Sequence, residues 1–70
     1  MNAETVRELL RHRPFQPFKL RMTNGDVFEV KHPELALVLK TKVIIGDPEN
    51  DRSWICSLLH VAAIESAQAA

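Results

Sequence analysis

Seventy residues, 46% of them apolar and with zero formal net charge, are enough for one small domain. Such a chain buries only about 60% of its unfolded surface, and a single cysteine excludes the disulfide framework that staples small secreted scaffolds. Close packing or oligomerisation is what remains to stabilise it. Cys56 on its own is expected in a reducing, cytoplasmic setting, and Glu4, Arg7, Glu8 and Arg11 break up any signal-peptide pattern. No apolar run approaches a membrane span.

Asn2 is suited to cap a short helix, expected over about 3–13, with Glu4 in its first turn. Val6, Leu9 and Leu10 make one apolar stripe on an otherwise charged helix. Arg11, His12 and Arg13 fall in its last turn, the end that favours cations, and Pro14 stops it. Phe15-Gln16-Pro17 reads as a stiff, extended connector. Phe15 and Phe18 are expected to pin the helix against the sheet.

Phe18 to Val30 reads F-K-L-R-M-T-N-G-D-V-F-E-V, two alternating runs around Asn24-Gly25. This is a hairpin signal, because both loop residues tolerate positive φ. A two-residue turn would set Leu20 against Glu29. A three-residue loop, Asn24-Gly25-Asp26, instead pairs Met22 with Phe28, Leu20 with Val30 and Arg21 with Glu29, and is preferred.

His32-Pro33-Glu34 interrupts the second strand, since Pro33 cannot donate to a ladder. Leu35 to Leu39 is apolar on both faces and expected to be buried; Lys40-Thr41-Lys42 is a polar turn. Val43-Ile44-Ile45 is a further strand ended by Gly46, and the turn residues of 47–51 make the one loop expected to be mobile. Trp54 to Leu58 is another strand. A tight step at Leu59-His60 leads into the last strand, Val61 to Glu65, and then a tail, 66–70, expected to fray.

One helix followed by five or six closely spaced strands, with no crossover helix, predicts a mainly β single domain over 1–70. Its sheet, about 18–65, is antiparallel and closes into a small barrel or bends sharply. Phe18, Leu20, Met22, Phe28, Val30, Leu37, Ile44 and Trp54 are the expected core, with Lys19, Arg21 and Glu29 outside.

Catalytic chemistry finds little support. His12, His32 and His60 sit in separate segments, and Cys56 alternates with Trp54 and Leu58, which points it into the core. Asp47, Glu49 and Asp51 lack a calcium-loop pattern, and Gly25 and Gly46 form no phosphate loop. A non-enzymatic protein without metal or cofactor is expected.

Charge is uneven. Residues 1–42 hold eight Lys/Arg against five acids, whereas 43–70 hold Arg52 against four. The two halves either compensate one another, in the fold or across a subunit contact, or leave a basic face usable for single-stranded RNA. Arg7, Arg11, Arg13, Lys19 and Arg21 would build that face. No proline or lysine guards the apolar strands between Ser53 and Glu65. A partner strand from an identical subunit is therefore expected there, with Trp54, Ile55, Val61, Ala62, Ala63 and Ile64 at the contact.

L-R-M-T-N-G-D-V-F-E-V (Leu20–Val30) and L-H-V-A-A-I (Leu59–Ile64) resemble the first hairpin and the closing strand of the Sm-like barrel family, in its bacterial RNA-chaperone (Hfq-like) form. The order of elements over 4–65 is similar too. R-P-F-Q-P-F-K-L, H-P-E-L-A-L-V and S-L-L-H-V also look like a set of short bacterial proteins, a likeness that implies no activity. The Sm-like resemblance implies a five- or six-stranded SH3-like barrel after an N-terminal helix. It implies homo-oligomeric rings that join the last two strands of neighbouring subunits and bind single-stranded RNA. His60 matches the family's pore histidine and Asn24-Gly25 its turn on the other face. Leu59 stands where the family has a lysine, and the 47–52 loop is longer than the family's. The competing expectation is a protein-interaction or structural module with no nucleic-acid role.

Overall fold

The computed structural model describes residues 1–67. Helix α1 spans Ala3–Arg11, and the Asn2 side chain accepts from the Glu4 N–H as its cap. It ends two residues before the expected boundary, because His12 takes extended backbone while its N–H still bonds the Glu8 carbonyl. Six strands come after it: β1 Phe18–Met22, β2 Val27–Val30, β3 Ala36–Val38, β4 Lys42–Asp47, β5 Arg52–Ser57 and β6 Val61–Ser66. They form two antiparallel sheets, ordered β2-β1-β6 and β3-β4-β5. Single 3-10 turns, Pro33–Leu35 and Leu58–His60, carry the chain from one sheet to the other.

The hairpin forms with a register two residues from the expected one. Phe18 pairs with Val30, Lys19 with Glu29, Leu20 with Phe28 and Arg21 with Val27. A shift of two keeps every side chain on its face, so the apolar faces are as expected while the expected partners are not. The loop is Thr23-Asn24-Gly25, closed by Met22 N–H to the Asp26 carbonyl at 2.7 Å, with Gly25 at φ +94°. Lys19, not Arg21, therefore stands opposite Glu29.

Both sheets and α1 share one core. Phe18, Leu20, Met22 and Val30 enter it from the hairpin, Val43, Ile45 and Cys56 from the other sheet, and Val6 from the helix. Leu58 and Val61 close it where β5 passes into β6. Each fully buried aliphatic side chain contributes about 1.5–3 kcal/mol. Phe15 packs on this core with its ring 6.1 Å from that of Phe18, which fixes the connector.

Two core expectations fail. Leu37 is 58% exposed, and Ile44 is only half-buried while Val43 and Ile45 on either side are covered. Cys56 faces the core, and pairing Val43 with Cys56 forces Val43 and Ile45 inward, so Ile44 points out. Leu37 pairs with Ile44 and is carried to the same outer face. Phe28 and Trp54 are half-buried, ring against ring at 5.5 Å. The tail begins later than expected, for Ser66 belongs to β6 and the Ala67 N–H bonds the Pro17 carbonyl; 68–70 lie outside the described residues.

Candidate functional site

The hairpin tip and the Leu58–His60 turn meet. Thr23 N–H donates to the His60 carbonyl at 2.8 Å, and this bond brings Asn24 and the exposed His60 to one open cleft of about 470 Å³. Ile55, Cys56 and Phe28 line it further in. Asn24 is already engaged: its Oδ1 accepts from the Asp26 N–H at 3.0 Å and its Nδ2 donates to Asp26 Oδ2 at 3.1 Å. Gly25 supplies the positive φ that this turn requires. Burial pushes the Cys56 thiol up, which leaves it protonated and unreactive.

The basic residues of the expected face fall into two groups, and three of them, Arg7, Arg11 and Arg21, are ion-paired within the chain. Arg7 and Arg11 converge on the Glu4 carboxylate. Arg13 donates to the carbonyls of Leu10 and His12 at 2.8 and 2.9 Å. These three arginines line an open groove of about 540 Å³ between α1 and β3, whose floor is Leu10, Ala36 and Val38. Lys19 and Arg21 stand on β1, where Arg21 Nε donates to Glu65 Oε1 at 2.5 Å. That hydrogen bond, and the charge behind it, holds the Glu65 carboxyl below its ordinary range, with Lys19 adding to the effect.

The expected contact strands both lie at sheet edges. Within the described residues β5 pairs only with β4, and β6 only with β1. Ile55 is 69% exposed, and Leu59, in the turn between the two strands, 81%. The other expected contact residues differ among themselves. Trp54 lies against Phe28 and under the Arg52 guanidinium, which is 5.4 Å from its ring centre. Val61 is in the core. Ala63 and Ile64 pair with Arg21 and Leu20, while Ala62, exposed, is the unpaired residue of a β-bulge.

The acidic loop is tied to itself. Asp47 accepts from Asn50 Nδ2 at 2.8 Å and from Arg52 at 3.4 Å, and the Asn50 bond above all holds its carboxyl low. Among the described residues no three His, Cys, Asp or Glu side chains converge to hold a metal. No described helix is long and apolar enough to cross a membrane.

Sequence reasoning passes over Leu37 and Leu59 as surface features. The signal for Leu37 is the run L-A-L-V-L, apolar on both faces in a domain too thin to bury both. No local pattern marks the Thr23–His60 bond, which joins residues far apart in the chain. The chain matches no protein-family model, no curated protein and no solved structure.

Proposed function

We propose that this chain is a non-enzymatic, homo-oligomeric interaction module of Sm-like type, its two sheets closing as a small SH3-like barrel around the shared core. Subunits join by pairing the edge of β5 with the edge of β6 of a neighbour. The observation that carries this reading is the placement of β5 and β6: consecutive strands, joined by one 3-10 turn, stand at the open edges of different sheets. An unpaired edge seeks a strand, and two unlike edges on one subunit make a heterologous contact, the kind that builds a ring when the rotation between subunits closes. The bulge at Ala62 restricts pairing to the part of β6 beyond it.

The charge arrangement favours a protein partner over RNA. Arg7, Arg11 and Arg21 are each held by a carboxylate of the same chain, and so offer phosphate little unbalanced charge. Single-stranded RNA binding is the second reading, supported by Asn24 and His60 lining one cleft. Sedimentation of the wild-type protein over a range of concentrations tests the first reading. Filter binding of a uridine-rich oligonucleotide at low and moderate salt tests the second. Retention that is lost in a His60→Ala variant would favour RNA, and no retention at low salt would remove it.

A further inference from the structure

The outer face of the β3-β4-β5 sheet is apolar in a way a solvated face is not. Register places Leu37, Ile44 and Ile55 in one row across the three strands. Leu37 and Ile55 at its ends are 58% and 69% exposed. The rows on either side differ from each other. Towards one end of the sheet lie Leu39, 39% exposed, then Lys42 and Ser57. Towards the other, Gly46 and Ser53 leave an open hollow of about 520 Å³, lined also by the acidic residues Glu34 and Asp51.

We propose that this face binds a second copy of itself about a two-fold axis running along the Leu37–Ile44–Ile55 row. Such an axis lays each residue of the row on its own counterpart and exchanges the flanking rows. Lys42 of one copy then falls over Gly46 of the other, because both stand two residues from Ile44 on the same face of β4. The long side chain fills the hollow that glycine leaves, within the spacing of about 10 Å that packed sheets keep. Its ammonium arrives beside the acidic residues Glu34 and Asp51 that line the hollow; Lys42 has no ion-pair partner among the described residues. Ser53 meets Ser57. The other in-plane axis, along the strands, would set Lys42 against Lys42, and charge excludes it. A contact of ordinary size takes about 800 Å² from each partner, a modest share of a surface of 4800 Å².

This contact does not depend on edge pairing, and its test separates the two. Ile44→Cys places a thiol on the axis, whereas pairing through β5 keeps the two copies of residue 44 apart, with β5 between them. A short bifunctional maleimide, which bridges two thiols across packed sheets without the close backbone approach a disulfide needs, should couple Ile44→Cys into covalent dimers at least about tenfold faster than Thr5→Cys on the exposed helix face. The buried Cys56 keeps the wild-type background low. Adding Lys42→Glu should slow the Ile44→Cys reaction about tenfold, and adding Glu34→Lys as well should restore it to within about threefold. Ala62→Pro, at the exposed residue that the β1–β6 ladder leaves unpaired, should leave all these rates unchanged. Equal rates for Ile44→Cys and Thr5→Cys, or indifference to Lys42→Glu, would overturn the proposal.

Discussion

Arg21 on β1 donates through Nε to Oε1 of Glu65 on β6, 2.5 Å away, although the register sets Lys19 directly opposite Glu65. The bond runs diagonally across the pair of strands that joins the two ends of the chain. Glu65 is held below its ordinary pKa, first by the Arg21 hydrogen bond and then by its charge. A carboxyl with a depressed folded-state pKa adds stability above its unfolded pKa and loses it as the pH falls through the folded value. The urea midpoint should therefore drop as the pH is lowered past the ordinary glutamate value of about 4.3. A Glu65→Gln variant should lack that part of the drop, and an unchanged pH profile would show the pair to be idle.

At the hairpin tip, Gly25 sits at φ +94° with open space where a Cβ would stand. The penalty for a side chain there is backbone strain alone. Gly25→Val should lower stability by about 1–3 kcal/mol, and Gly25→Asn by less, because asparagine tolerates positive φ. Equal urea midpoints for glycine and valine would contradict the loop geometry.

The division between inner and outer faces of β3 and β4 can be tested by matched truncations. Ile45 is 1% exposed, so Ile45→Ala should cost about 2–5 kcal/mol. Leu37→Ala, at a protein concentration low enough to keep chains apart, should change stability by less than about 0.5 kcal/mol. Similar losses at both positions would mean that the outer face is covered within a single chain.

How far the fold is legible in the residues depends on whether polar side chains mark a face. In Phe18–Val30 lysine, arginine and glutamate alternate with apolar residues, and the buried face follows directly. Leu35–Leu39 and Val43–Ile45 carry no such mark, so Leu37 and Ile44 read as inward although the ladder to Cys56 turns them out. The expected hairpin register rests on a local charge match, Arg21 with Glu29, whereas the partner of Arg21 lies 44 residues away. Long-range pairing of this kind leaves no local trace. The candidate site shares the difficulty: the cleft between Asn24 and His60 exists because Thr23 bonds the far end of the chain. Edge exposure of β5 and β6 is legible, since the missing proline and lysine are visible in the residues themselves.

Pairing between the edges of β5 and β6 is tested most directly by sedimentation equilibrium of the wild-type protein beside Ala62→Pro and Ala63→Pro. Proline at Ala62, which the β1–β6 ladder leaves unpaired, takes a donor from the outer edge of β6 and bars a partner strand there, whereas at Ala63, paired with Arg21, it also loosens the chain's own ladder. The wild type should sediment at high micromolar concentration as a closed assembly of more than two subunits. At least one proline variant should fall to a species no larger than the dimer that the outer sheet face can make. A folded wild-type monomer at that concentration, or proline variants that keep the wild-type mass, would contradict the edge-paired assembly.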